Sequence, residues 1–535
     1  MNKTVFEGLS APATEYINVL ENKVDKMQKQ IDQLTELVLK MNKDKFGSSS
    51  EKARYVLEDG FEQDTLFNEA EAYADENTPE PVIVEKHIRK PKRTKEELAK
   101  DLPVKEIIID IPEDERICDI CESNDLYKIG TELVRRELEI IPARAYVSET
   151  YRVTYGCNPC ADETEHSNII KPEVPTPVVT RGLASPSSAA HVMYQKYVNA
   201  MPLYRQEKDF KNFGVIISRA TLANWIIYTS TRWLTPLWKA FKALLLTSPL
   251  ILADETVTQV LKEPGKTPQS DSRMWVYCNG DVEKPPQIVL FEYQPTRSGD
   301  HPKEFLKGIE NPFYLLTDGY QGYNAVAKAI HGGCWAHTRR KFEEAMPKNA
   351  PKDNKARIGF EYCQKLFMLE REFEDMKPEK RLEKRKEKSK PVCDKFYAWL
   401  GTVNPLAGSS LAKAVTYAVN QKEPLSAFLL DGRIEISTNR IENHIRPFTT
   451  GRKNWLFADT VNGAKASAVA YSIISTAVAN GLNPYQYLKH LFTHLPTVLT
   501  KDPDAVLSPY YPWADDVQEN CKFAQGAKGQ LSLLG

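Results

Sequence analysis

The chain has 535 residues, 41% of them hydrophobic, with 71 basic against 72 acidic side chains and a formal net charge of −1. That length suits roughly three or four domains. No apolar run approaches a membrane span, and the even charge balance excludes whole-chain attraction to nucleic acid, leaving any such contact to local charge.

Met1 to Glu7 has no apolar signal core. Nine cysteines, four of them in two closely spaced pairs, fit a reducing cytoplasm and a metal site better than a disulfide framework. In residues 12–42, Ile17, Leu20, Val24, Met27, Ile31, Leu34, Val38 and Met41 alternate steps of three and four, with charged and amide residues between them. This is the seam of a coiled coil and predicts self-association rather than a lone amphipathic helix. Residues 57–85 are acidic and lack apolar periodicity, as expected of a linker. Lys86 to Lys95 is a basic run that suits a phosphate-contacting arm.

Cys118-Asp119-Ile120-Cys121 and Cys157-Asn158-Pro159-Cys160 are two C-x-x-C knuckles with 35 residues between them. Four thiolates at that spacing close a tetrahedral structural zinc site. The β-type segments Leu138 to Ile141 and Tyr146 to Tyr155 are expected to form its ribbon. Such a site has no open position, so it serves folding and recognition. Residues 183–246 read as helices. A helix after Pro202, a turn at Gly214 and a second helix capped by Ser218 have a helix-turn-helix pattern, with Arg219 and Asn224 available to a DNA groove.

Two short apolar runs then break into acid: Pro249 to Ala253 before Asp254-Glu255, and Pro312 to Leu316 before Thr317-Asp318-Gly319. Runs of this length predict strands buried on both faces, each ending at its aspartate. Two carboxylates placed there are unfavourable without a compensating cation, and a divalent metal with oxygen ligands meets that need. Between them, strands at Met274 to Cys278 and Ile288 to Tyr293 and a helix near 302–309 give the order of a ribonuclease-H-like sheet.

A third acid is sought in residues 431–447. A short strand, an N-cap at Ser437 or Thr438 and a helix stopped by Pro447 would set Asn439, Glu442, Asn443 and Arg446 on one face, with Ile441 and Ile445 on the other. Glu255, Asp431 and Glu435 are rival acids. In Cys334-Trp335-Ala336-His337-Thr338-Arg339-Arg340-Lys341, the basic triplet suits phosphate oxygens, and Cys334 and His337 read as structural for want of a second pair. Residues 343–430 read as an inserted helical subdomain that sets Glu442 124 positions beyond Asp318. Arg452, Lys453 and Trp455 offer a phosphate-and-base platform. An apolar helix from Ala464 to Asn480, closed by Gly481, is expected in the core.

Taken together these residues resemble bacterial transposases of the insertion sequence 66 family over almost the whole chain. The carriers are the coiled coil with Phe46-Gly47 and Ser50-Glu51, and the paired knuckles with Ile141-Pro142-Ala143-Arg144. Others are Ala253-Asp254-Glu255-Thr256, Thr317-Asp318-Gly319-Tyr320, Cys334 to His337 with Arg339-Arg340, Asn439 to Glu442, and Gly451 to Phe457. One departure is that Ser437-Thr438-Asn439 stands where the family has Asp-Asn-Asn.

The resemblance implies a multidomain α/β protein. Its parts would be a coiled coil (1–52), an acidic linker and basic arm (53–104), a zinc ribbon (105–180) and a helical DNA-binding region (181–246). A ribonuclease-H-like core (247–342 and 431–481) would follow, split by the helical insertion (343–430), with a tail at 482–535. It implies a DDE triad of Asp254, Asp318 and Glu442 holding two Mg²⁺ or Mn²⁺ ions, and a structural Zn²⁺ on Cys118, Cys121, Cys157 and Cys160. The expected activity is cleavage of transposon ends at terminal inverted repeats and joining to target DNA, with Arg219, Asn224, Arg339, Arg340, Arg446, Arg452 and Lys453 touching double-stranded DNA. A homo-oligomer, accessory proteins of the same element and a cytoplasmic, nucleoid-associated location also follow. The alternatives are a DNA-binding regulator without catalysis, and a nuclease or resolvase on the same fold.

Overall fold

The computed structural model describes residues 145–156, 169–212, 214–280 and 286–523, with Lys23, Lys26 and Met27. The heptad seam apart from Met27, the linker, the basic arm and the four knuckle cysteines lie outside the described residues. Residues 148–521 fall within one compact unit. Near the second knuckle, the two-residue strands β1 (Tyr155–Gly156) and β2 (Ile169–Ile170) pair antiparallel. Residues 146–154, expected as strand, have no regular structure, and their side chains are exposed. Leu138 to Ile141, the other segment expected in the ribbon, lies outside the described residues.

Four helices follow. Ser185 caps α1 (Pro186–Tyr197) through a reciprocal pair of bonds with Ser188. Helix α2 (Leu203–Asn212) runs to Gly214, whose φ of +80° is the left-handed geometry that glycine adopts without strain. Ser218 then accepts the Thr221 N–H at 3.2 Å and starts α3 (Arg219–Thr229), as its residue type predicts. A π-helical turn (Ser230–Leu234) leads into α4 (Thr235–Leu245). Val192, Met193, Leu222, Trp225, Ile226, Trp233 and Phe241 bury the inner faces of these helices.

The sheet consists of β3 (Leu250–Lys262), β4 (Asp271–Asn279), β5 (Val289–Gln294), β6 (Phe313–Leu316) and β7 (Ala329–Gly332) in the spatial order β5-β4-β3-β6-β7. β3, β4 and β5 form an antiparallel meander. After the short α5 (Asp300–Phe305), β6 joins β3 in parallel and β7 joins β6 in parallel. Leu250 to Ala253 are buried on both faces, as the unbroken apolar run requires. β3 does not stop at Asp254, however; it runs eight residues further because β4 pairs with it as far as Gln259 and β8 (Ala458–Thr460) covers its far end.

Helix α6 (Trp335–Glu344) runs up to the segment expected as the insertion, residues 343–430, whose first full helix is α7 (Lys355–Glu372). The charged stretch forms α8 (Pro378–Lys384), a π turn (Arg385–Ser389) and α9 (Lys390–Leu400). Helices α10 (Ser410–Asn420) and α11 (Lys422–Ser426) complete it. Phe396 lies among Trp335, Phe342, Tyr362 and Trp399, all within 6.0 Å between ring centroids.

Residues 431–438 hold no strand; backbone pairing is replaced there by turns tied to arginine side chains, with Arg433 bonded to Asp431. Helix α12 (Asn439–Trp455) starts at Thr438 as expected but passes through Pro447. Proline inside a helix costs about 3 kcal/mol, whereas burying Phe448 returns about 1.5–3 kcal/mol. Burial of Thr449 and Gly451 on the same stretch helps to carry the helix on to Trp455.

Helix α13 (Val461–Ala479) is core, as expected, and Gly481 follows it at φ +77°. It also closes the sheet. Phe291 donates its N–H to Ser472 Oγ at 2.7 Å, Val289 donates to Thr476 Oγ1 at 3.1 Å, and Asn480 brackets Gln287. Three polar side chains four residues apart thus satisfy an edge strand that would otherwise invite another chain. The segment after 482, unreadable from sequence, forms α14 (Pro484–Lys501) and the short α15 (Asp515–Asn520), with α14 packed on α1. Among the described residues, no helix is long and apolar enough to cross a membrane.

Candidate active site

Strand register brings the two aspartates together. Leu252 pairs with Leu316 across the parallel β3–β6 ladder, and Asp254 and Asp318 each lie two residues further on. Asp254 is still within β3, whereas Asp318 sits in the turn just past the end of β6, near enough for its charge to act on Asp254. Asp254 is 6% exposed and Asp318 is half-buried. Asp318 Oδ1 accepts the Tyr320 N–H at 2.9 Å across the turn at Gly319, whose φ is +91°. From α10, Tyr417 donates its hydroxyl to the Asp318 carbonyl at 2.7 Å, so the insertion braces this turn.

Glu442 enters from the first turn of α12 and is 9% exposed. Thr438 does not cap the helix with its side chain; its hydroxyl lies 3.0 Å from Glu442 Oε1 instead. His337 Nδ1 stands 3.9 Å from the same oxygen, and Arg340 Nη2 stands 3.9 Å from Oε2.

The electrostatics join all three acids. Burial raises Asp254 well above its ordinary range, and the charges of Asp318, Glu255 and Glu442 push it further, with His337 opposing. Burial works against a charged His337, yet Cys334, Glu442 and Asp318 outweigh it and raise the imidazole to about 9. Its thiol neighbour responds in kind. Burial pushes Cys334 up, but His337 and two donors from Thr438, at 3.3 and 3.2 Å, bring it below the usual thiol value.

Each rival acid has an arginine partner, although Glu255 stays within the cluster, where burial and Asp318 raise it against the pull of Arg297. Arg297 donates to Glu255 at 2.6 Å and Tyr323 donates to its other oxygen at 2.8 Å, while the guanidinium stacks 3.9 Å over Tyr320. Asp431 is held by Arg433 at 2.7 Å, and Glu435 by Arg440. Residues that sequence reading missed are Arg297, Tyr323, Tyr417 and Thr438; none carries a local signal, since each acts on a residue distant in the chain or, for Thr438, through an unexpected bond.

The expected DNA contacts divide. Arg219 and Asn224 are exposed on α3, and Arg446 and Lys453 are exposed on α12. Arg340 faces Glu442. Arg339 donates to Gln364 at 3.0 Å beside the rings of Phe360 and Phe367, and Arg452 donates to the Val257 carbonyl of β3, so both guanidinium groups are engaged within the protein.

Comparison with known proteins identifies a family. Residues 181–466 match the Transposase IS66 family, residues 115–161 the zinc-finger binding domain of transposase IS66, residues 472–507 the IS66 C-terminal element, and residues 33–107 the family described as Transposase C of IS166 homeodomain. An uncharacterized protein of Sinorhizobium fredii, y4jD, is 30% identical over 413 residues, covering 73% of this chain and 76% of that protein. Another from the same organism, y4qI, is 28% identical over 484 residues, covering 87% and 86%.

Proposed function

This chain belongs to the transposase IS66 family, and we propose that it is a DDE-type transposase on a ribonuclease-H-like core, with Asp254, Asp318 and Glu442 as its catalytic acids. The strand order β5-β4-β3-β6-β7, with three antiparallel and two parallel members, supports that core. The observation that carries the assignment is the cluster itself. Asp254 on a strand, Asp318 in the turn after another and Glu442 on a distant helix come together so that burial and the charges of the other two raise Asp254, while Glu255, Asp431 and Glu435 each have an arginine partner.

The donor set fits hard divalent cations, because it offers carboxylate oxygens and the Asp254 repulsion reverses when a dication enters. Bound there, Mg²⁺ or Mn²⁺ supplies activation of the nucleophile and neutralisation of phosphate charge. The chain positions the rest. Arg297 and Tyr323 fix Glu255 next to Asp254, Tyr417 fixes the Asp318 turn, and Thr438 orients Glu442. Arg340 lies beside the acids, where a phosphate oxygen would accept its donors.

In cleavage, water attacks the phosphorus at the transposon end and the bond to the end's 3′-oxygen breaks. In joining, that freed 3′-hydroxyl attacks a target phosphorus and displaces the target's own 3′-oxygen. The zinc ribbon on Cys118, Cys121, Cys157 and Cys160, the α2–α3 pair with Arg219 and Asn224, and Arg446 and Lys453 would bind the ends, and the N-terminal heptads would pair two copies.

A strand-transfer assay with terminal-repeat DNA and Mg²⁺ tests this reading. Joined products are expected from the wild type and none from Asp254→Ala, with end binding retained. Cleavage without joining would make the protein a nuclease or resolvase, and binding alone a regulator.

A further inference from the structure

Glu442 has a second set of neighbours that the transposition chemistry does not use. Cys334 Sγ, a ring nitrogen of His337 and a carboxylate oxygen of Glu442 all lie within 4.8 Å of one another. Cys334 and His337 are three positions apart at the start of α6, so they lie on one side of that helix. Cys334 is fully buried, and the Thr438 N–H points at its sulfur. His337 Nδ1 is buried with no hydrogen-bond partner, 3.9 Å from Glu442 Oε1. A buried ring nitrogen left without a partner calls for an explanation.

Thiolate, imidazole and carboxylate together are not a magnesium set, which takes oxygen. They are the ligands of zinc and of ions that resemble it. A tetrahedral ion with bonds of about 2.0–2.3 Å sets its ligands about 3.5 Å apart, so a closure of about 1 Å completes the set. Three protein ligands leave a fourth position for water.

We propose that Cys334, His337 and Glu442 bind one thiophilic divalent ion of the Zn²⁺ class, and that this ion withdraws Glu442 from the hard-cation pocket and so switches the transposase off. The second half rests on the reading of Glu442 as a catalytic ligand; the site itself does not. One carboxylate cannot serve both ions in full, so excess Mg²⁺ opposes the block.

The test uses the full chain with its ribbon cysteines first saturated with Zn²⁺, titrated with Co²⁺ and followed by absorbance. One further equivalent is expected to give tetrahedral cobalt bands with a thiolate charge-transfer component. Cys334→Ser and His337→Ala should each lose that component. The His337 side chain is partly exposed, so its variant answers the question even where the cysteine variant misfolds. A thiolate spectrum unchanged in both variants, or no uptake beyond the ribbon, overturns the site.

Zn²⁺ added at fixed Mg²⁺ should suppress joining at least tenfold, with recovery as Mg²⁺ rises. Zinc uptake at this site with undiminished joining overturns the switch. Asp254→Ala separates the two readings, since it should keep the cobalt band while losing catalysis. Joining retained in that variant, with the band intact, removes the triad and leaves the zinc site standing.

Discussion

The helical insertion and the cleft treat buried charge in opposite ways. In the insertion, Arg385 is 1% exposed, yet it has a partner on each side. Its Nε and Nη2 donate to the two oxygens of Glu370 at 2.9 and 2.7 Å, and Nη1 donates to the carbonyls of Phe428 and Asp431 at 2.9 and 3.1 Å. In the cleft, Asp254 is nearly as deep, and the nearest charges acting on it are mostly more carboxylates. Charge that only holds a structure together is matched within the fold. Charge left among its own sign waits for something from outside, which is how a functional pocket differs from a structural one.

Substitution on either side of this contrast should act on different properties. Asp254→Ala should lower cleavage and joining by about 10³-fold or more, the scale of losing a principal electrostatic group, while thermal melting of the metal-free protein holds or rises. Arg385→Ala should do the reverse in kind. Removing one partner of a buried pair leaves Glu370 uncompensated and costs about 3–5 kcal/mol, to be read by denaturant unfolding.

Metal sharpens the comparison further. At a hundred times its dissociation constant, Mg²⁺ should stabilise the wild type by about 2.7 kcal/mol, and Asp254→Asn should lose most of that gain. Equal protection in both proteins would place the ion elsewhere.

A pH dependence follows from the same cluster. The folded protein raises Asp254 above its ordinary value of 3.8. Its contribution is therefore fully present below that value and is lost as pH rises through the higher folded value. Without metal, Asp254→Asn should thus gain stability relative to the wild type as pH climbs from about 4, and a constant difference would contradict the raised carboxyl. The smallest effect is expected at the brace. Tyr417→Phe removes one hydrogen bond to the Asp318 carbonyl and should cost about 1 kcal/mol, with a rate loss of up to about tenfold.

Much of the sheet was legible from local pattern. The apolar runs before Asp254 and Asp318 announced strands buried on two faces, and Ser218 and Gly214 marked the second helix pair. Chain-distant pairing was not legible. Nothing near Ile251 says that β4 and β8 carry β3 past its aspartate. Pro447 predicts a helix end, and only the burial of Phe448 and Gly451 against the core explains why α12 goes on. Helix α13 was expected only as apolar core, whereas its Ser472 and Thr476 supply the hydroxyls that finish β5.

For the site, the sequence offers Asp254, Asp318 and Glu442 as candidates, and in the fold the charges of the latter two act on the first. The partners that distinguish Glu255 from Asp254 were invisible, because Arg297 and Tyr323 lie 42 and 68 residues away from it. Cys334 and His337 were read as structural for lack of a second ligand pair. Their neighbours come from Thr438 and Glu442, across the whole insertion.

The most direct measurement is a crystal soaked in Mn²⁺ and phased at the metal's absorption edge. Anomalous density in contact with Asp254, Asp318 and Glu442 together is the expected result. Manganese bound by Glu442 with neither aspartate taking part, or none in the cleft at saturating concentration, would contradict the assignment of these three acids to one catalytic centre.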